Sequence, residues 1–270
     1  MIRVSICVAV CMAAGVCLAG SGAAASRSAV LAPALKRLAT VEAGHLDGWG
    51  AVKGQVVFAG DKVPTPESLK VDKDQDHCLS KGPLTAAKWV VNDATKGVAN
   101  IVVFLRPEPG QKLPVHDSLK TPKTRDVLLD QPCCAFEPRI LAMRADQTLV
   151  AKNPSPVAHN VVIQGFKNSQ NVQLAPGSQK AFEIFPENNV IGLSCGAHPW
   201  MKGFLWAFDH PYFAVTDKDG NFEIKLAPAG NQTLVLWHED VGYVGGKKGR
   251  TVAIIPDGLV DAGKIAVKPD

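Results

Sequence analysis

The sequence has no run or stripe of basic residues, which argues against nucleic acid as a partner. Its 29 Lys and Arg are interspersed with 25 Asp and Glu along 270 residues. It has no Gly-rich phosphate loop, no Gly-x-Ser-x-Gly elbow and no paired-carboxylate pattern, so the usual signatures of those catalytic classes are missing. Strand–helix–strand alternation is also missing, which argues against a parallel sheet. Apolar residues make up 46 % of the chain. That is too many for a disordered tail, and their distribution is not that of a multi-span membrane protein.

The N-terminus is a segment of a different kind. Arg3 precedes an uncharged apolar run from Val4 to Gly20, and Gly22-Ala23-Ala24-Ala25 supplies small residues. Residues 1–25 therefore read as a secretory signal cleaved near Ala25, leaving no transmembrane span. A periplasmic or secreted location is expected. Cleavage leaves 28 basic against 25 acidic residues, and four of seven cysteines: Cys78, Cys133, Cys134 and Cys195. These four face an oxidising compartment. If Cys195 binds a metal, one pair and one spare thiol remain. Adjacent Cys133 and Cys134 would strain to bond each other, so Cys78 pairs with one of them.

Residues 26–47 form a leader in which Ser28 to Thr40 is compatible with a helix. From Gly48 onward, short branched or apolar runs recur between Gly, Pro, Asn and Asp. They fall at Ala51–Ala59, Ala99–Leu105, Val127–Leu129, Gln147–Lys152, Asn160–Ile163, Ala181–Phe185, Val190–Ser194 and Gly203–Phe208. The later ones are Tyr212–Thr216, Phe222–Lys225, Thr233–Trp237, Thr251–Ile255 and Lys264–Val267. This spacing predicts an all-β sandwich or barrel. Asp217-Lys218-Asp219-Gly220-Asn221 reads as a hairpin turn, since the terminal Glu of a calcium loop is absent. Arg106 to Arg125 reads as a long connection.

The chemistry concentrates in Ser194-Cys195-Gly196-Ala197-His198-Pro199-Trp200-Met201. Here a thiol, an imidazole and a thioether stand at the spacing C-x-x-H-x-x-M. Two imidazoles and a thiolate with a weak axial Met form a mononuclear blue-copper electron-transfer site. Cys195, His198 and Met201 supply three of those ligands on a loop between two strands. His159, at the loop–strand junction Asn153 to Val162, is the candidate second imidazole. The other residues are weaker. His210 and His238 sit at strand ends and are candidates for a second metal site, and His45, His77 and His116 have no partner spacing.

These motifs resemble the cupredoxin family, the fold of plastocyanin and amicyanin. Val127 to Phe208 resembles a whole small cupredoxin core, and the short loop from Cys195 to Met201 is most similar to amicyanin. The resemblance implies one type 1 copper held by His159, Cys195, His198 and Met201. It implies Asn160 bonding across to the cysteine loop, and His198 on an exposed loop as the electron exit. Pro199 and Trp200 would shape a surface for a transient redox partner. Gly196-Ala197 and Trp200 depart from the residues usual in that loop. Tyr212 to Glu239, together with the Ala51–Gly60 strand, resembles a carboxypeptidase-regulatory or transthyretin-like module. The combination resembles bacterial proteins called methylamine-utilisation-like, and so a bacterial cell envelope. In that pattern Cys134-Ala135-Phe136-Glu137-Pro138 implies the disulfide Cys78–Cys134.

The expected fold is therefore all-β, a Greek-key cupredoxin sandwich plus a small transthyretin-like sandwich. Its parts are a signal (1–25), a leader (26–47), an N-terminal β region (48–126), a cupredoxin core (127–208) and a β module (209–270). The expected function is single-electron transfer without enzymatic turnover. Multicopper oxidases and copper nitrite reductases need a histidine beside the cysteine, and Ser194 and Gly196 flank Cys195 instead. Two other readings are a copper carrier or buffer that passes no electrons, and a cell-envelope or glycan-binding module with a vestigial metal site.

Overall fold

The computed structural model describes residues 47–269. The expected signal, and the helix from Ser28 to Thr40, lie outside the described residues. In chain order the strands are β1 (Trp49–Phe58), β2 (Glu67–Ser68), β3 (Thr85–Ala86), β4 (Val102–Arg106), β5 (Asp126–Leu129) and β6 (Ile140–Arg144). Next come β7 (Thr148–Lys152), β8 (His159–Gln164), β9 (Ser169–Leu174), β10 (Gln179–Glu183), β11 (Ile191–Ser194) and β12 (Lys202–Phe208). The last six are β13 (Phe213–Val215), β14 (Asn221–Pro228), β15 (Gly230–His238), β16 (Gly242–Tyr243), β17 (Arg250–Ile254) and β18 (Leu259–Val267). A single helical turn, α1 (Gln75–Cys78), lies between β2 and β3. No helix among the described residues is long and apolar enough to cross a membrane.

Four sheets stack face to face with an apolar layer between each pair. The first sheet has the order β10-β7-β5, and the second β6-β12-β11-β8-β9. Between them lies a core containing Leu129, Leu149, Phe182, Ile163, Leu193 and Leu205. The third sheet, β13-β4-β15-β16 with β17 on β15, covers the outer face of the second. The fourth, β14-β1-β18, covers the third over a core that includes Val52, Leu105, Ile224 and Leu236. Strands from before and after the first two sheets thus build the last two together.

The middle layers explain the continuous apolar runs. A strand covered on both faces has no polar side to show. On β4, Val103 and Leu105 enter one core while Val102 and Phe104 enter another. On β12, Leu205 and Ala207 face the first sheet while Trp206 and Phe208 face the third. Trp206 meets Phe104 at 5.0 Å and Trp237 at 5.9 Å between ring centroids, so an aromatic layer joins the two sandwiches. Arg139 adds a two-pronged bond to Glu239 across the same seam, at 2.7 and 2.5 Å.

Three sequence expectations are corrected. Parallel pairs do occur, β1 with β18, β5 with β7 and β6 with β12. No helix is needed because the chain crosses through a facing sheet; β6, for instance, separates β5 from β7 and belongs to the other layer. The turn at Asp217–Asn221 forms, with Gly220 N donating to Asp217 O at 2.9 Å. It joins β13 and β14, which lie in different sheets, so it is a corner and not a paired hairpin. Gly220 is required there: its φ is +76°, and a Cβ would stand 2.2 Å from Val56 O. Finally, β6 and β9, and the two-residue strands β2, β3 and β16, are strands that the sequence pattern did not mark.

The burial of His210 is expected to make stability depend on pH. Its Nδ1 accepts from Tyr212 N at 3.1 Å. Burial, only partly offset by the Asp209 charge, lowers its pKa from 6.5 to about 4. The unfolded chain therefore binds a proton that the folded chain refuses as pH falls from 6.5 toward 4. Stability is full above that window and should fall by about 3 kcal/mol across it from this residue. Urea unfolding at pH 7 and pH 4 should show a shallower loss in His210→Asn, which keeps an acceptor for Tyr212 N. An equal loss in both proteins would remove His210 as the cause.

Candidate metal centre

The strand period aims the site residues inward. On β8 the buried positions are His159, Val161 and Ile163; on β11 they are Ile191 and Leu193, and Cys195 continues that face. The pairing of Ser194 with Val162 sets Cys195 beside the start of β8, where Asn160 N donates to Cys195 Sγ at 3.2 Å. Asn153 holds the loop before His159. Its Nδ2 donates to Val157 O at 2.9 Å and Leu174 O at 3.0 Å, and its Oδ1 accepts from Ser155 N at 3.1 Å. The cysteine loop closes on itself through Met201 N donating to His198 O at 2.9 Å.

Three donor atoms converge there. His159 Nδ1 lies 3.0 Å from His198 Nδ1, and Cys195 Sγ lies 3.7 Å from His198 Nδ1. The three residues are buried, with ligand atoms all within 4.8 Å of one another. Met201 is buried in the same core cluster. Two ring nitrogens at this separation must share a proton or a cation, because facing lone pairs repel. Burial first, and the His198 charge second, lower the His159 pKa to about 4, so its ring is neutral and able to ligate at neutral pH. His159 Nε2 is buried with no partner among the described residues. A sulfur and two imidazole nitrogens are a donor set that fits copper, and Met201 follows on the same loop with its N–H bonded to His198 O.

Two further residues reach this centre from a distant part of the chain. Asp74 Oδ2 lies 2.9 Å from His198 Nε2. His77, on the same turn, has a buried Nε2 without a hydrogen-bond partner among the described residues. Both belong to the turn at α1. The Cys78–Cys134 disulfide, S–S 1.98 Å, ties that turn to the segment before β6, and its sulfurs are in the same 4.8 Å neighbourhood as a His198 ring nitrogen. Sequence spacing hid Asp74 and His77. The one available signal was the position of Cys78, which brings its neighbours with it wherever the disulfide closes.

The geometry corrects several roles. His198 is 0 % exposed, so it is not an exposed exit. Trp200 is 8 % exposed and packs its ring 5.1 Å from that of His198, so of the two expected surface residues Pro199 alone is exposed. Asn160 braces Cys195 through its backbone N–H, while its side chain donates to Asn171 Oδ1 at 3.1 Å. His210 and His238 do not form a second centre. His238 Nε2 lies 3.0 Å from Lys88 O and its Nδ1 accepts from Asp240 N at 3.3 Å, while the His210 ring accepts from the backbone N–H of Tyr212. Cys133 is a free buried thiol beside the disulfide.

Fold and site together define a class: an all-β, layered-sandwich chain that gathers a thiol and two imidazoles in a buried pocket at one end of a sandwich. No protein-family model matches the chain, and no curated protein matches it. Among solved structures it is similar to a purple cupredoxin from Nitrosopumilus maritimus, at 21 % identity over 30 % of this chain and 99 % of that one, TM-score 0.27. It is similar to amicyanin from Paracoccus versutus, at 17 % identity over 39 % and 96 %, TM-score 0.28. It is also similar to a copper-containing nitrite reductase from Thermus scotoductus, at 18 % identity over 38 % of this chain and 27 % of that one, TM-score 0.28.

Proposed function

We propose that this chain is an exported type 1 copper protein that carries single electrons between redox partners in the cell envelope. The observation that carries this reading is the convergence of His159 Nδ1, His198 Nδ1 and Cys195 Sγ in one buried pocket, at 3.0 and 3.7 Å. Met201, buried and three residues after His198 on the same loop, would supply the weak fourth ligand. A copper ion held there would alternate between Cu(II) and Cu(I), taking up and giving back one electron. The residues do the rest. Cys195 offers a sulfur oriented by the Asn160 N–H. His159 and His198 offer ring nitrogens from two sequence-distant loops. The Trp200 ring against His198, with the buried core behind it, would keep water out. No substrate chemistry is assigned to the chain, since Ser194 and Gly196 leave no relay histidine beside Cys195. The redox partner is expected to bind transiently, over a small surface.

The complete burial of His198 favours a second reading, a copper carrier that stores the ion and passes no electrons. Cyclic voltammetry on the copper-loaded protein separates the two. A reversible one-electron couple with fast exchange supports the electron carrier. Copper bound tightly with no reversible couple supports storage.

A further inference from the structure

The imidazole of His198 is held at both edges. Its Nδ1 faces His159 Nδ1 at 3.0 Å and Cys195 Sγ at 3.7 Å, and its Nε2 lies 2.9 Å from Asp74 Oδ2. The carboxylate comes from 124 residues upstream. Its placement is built and not incidental. Asp74 adopts a left-handed backbone, φ 49° and ψ 37°, which is uncommon for a residue with a side chain. Its carbonyl accepts from His77 N at 3.1 Å and Cys78 N at 2.9 Å, closing the α1 turn. Gln75 Nε2 donates back to Val71 O at 2.8 Å. Cys78 then anchors the turn through Cys134. Asp74 keeps 32 % of its side chain exposed, so a wet carboxylate meets a fully buried ring.

We infer that Asp74 is a positioning residue of the metal centre: its carboxylate accepts the Nε2–H of His198, which leaves the Nδ1 lone pair directed at the place shared with Cys195 and His159. The consequence is chemical as well as geometric. A carboxylate behind a ligand imidazole fixes its tautomer and ring angle and raises its basicity. It also sets a negative charge next to the site, which favours the higher oxidation state of a bound ion. The α1 turn further covers the edge of His198 that a partner would otherwise touch. This inference rests on the copper reading for its redox consequence, and on geometry alone for the tautomer.

Three variants test it. Asp74→Ala removes the acceptor, Asp74→Asn keeps an acceptor oxygen but removes the charge, and Asp74→Glu keeps the charge on a longer arm. Long-range ¹⁵N NMR of the metal-free protein should show His198 with its proton on Nε2 in the wild type and in Asp74→Asn, and a mixture of tautomers in Asp74→Ala. Competition between the protein and a chelator for Cu(II) should show an affinity loss of about 10- to 100-fold in Asp74→Ala. The reduction potential should rise in Asp74→Asn and stay nearer the wild-type value in Asp74→Glu. A wild-type His198 protonated on Nδ1 would overturn the inference, and so would an Ala variant with unchanged tautomer and affinity. If the wild type takes up no Cu(II) yet shows the Nε2–H tautomer, which the Ala variant loses, the copper reading fails and the positioning role of Asp74 stands. Should Asp74→Ala not fold, the Asn variant decides: an unchanged potential would overturn the charge role.

Discussion

Cys195→Ser is expected to abolish the intense thiolate-to-copper absorption of the Cu(II)-loaded protein while leaving the fold intact. The exchange replaces one buried sulfur by a smaller oxygen, so the pocket loses little packing. It also removes the one free thiol grouped with His159 and His198 among the described residues. Losing an outer hydrogen-bond partner of a ligand typically costs about 10- to 100-fold in metal affinity, and losing the ligand itself should cost more than that. Chelator competition and absorption read both effects. Cys133→Ser is the control. Cys133 is also a free buried thiol, yet its sulfur lies near His77 O and Cys78 O at 3.7 and 3.9 Å, outside the ligand group. Colour that survives in Cys195→Ser, or that disappears in Cys133→Ser, would place the sulfur ligand elsewhere.

The second large effect is expected on opening the Cys78–Cys134 disulfide. The bridge closes a long loop, with a sequence separation of 56. Removing such a native bridge costs about 2–5 kcal/mol in stability. Both cysteines must be replaced together, as Cys78→Ala with Cys134→Ala, because Cys133 stands next to Cys134 and could take its place. Urea unfolding should show the loss. Hydrogen exchange should show the α1 turn opening before the sheets, because the bonds that tie it to the rest of the fold besides the bridge are few: Asp74 to His198 Nε2, and the Cys133 thiol to His77 O and Cys78 O. His198 would then lose the Asp74 carboxylate and meet solvent. A double variant as stable as the wild type, with the turn still protected, would show that packing and not the bridge holds the strap.

Particular residues show what the sequence made legible. Strands β4, β12 and β15 announce themselves as unbroken apolar runs, because each is sandwiched between two cores. β14 reads as a strand from its alternation Asn-Phe-Glu-Ile-Lys, and β8 from its run of branched residues, Val161 to Ile163. β9, in contrast, is a polar edge strand whose residues are mostly exposed, and it carries no period to detect. β6 was missed for the opposite reason, since Ile-Leu-Ala-Met is a short apolar run of no distinctive pattern. The corner at Asp217–Asn221 shows the same limit. Turn chemistry fixes a local reversal, but only the cores decide which sheet the next strand joins.

The candidate site divides in the same way. Cys195, His198 and Met201 sit close together on one loop, so their spacing alone named them. His159 required the guess that two loops share one end of a sandwich. The surroundings of those residues were not legible. Asp74 and His77 have no spacing to any other donor, and a resemblance to exposed-histidine sites pointed away from a covered one. His198 is met by Asp74 from the start of the α1 turn, and Trp200 packs against the His198 ring, tertiary facts that no local pattern encodes.

The most direct test is a titration of the metal-free, disulfide-intact protein with Cu(II), followed by visible absorption. An intense band that grows linearly and stops at one equivalent is the expected result. A protein that stays colourless, or that saturates only well beyond one equivalent, would contradict the assignment of a single thiolate–imidazole copper centre.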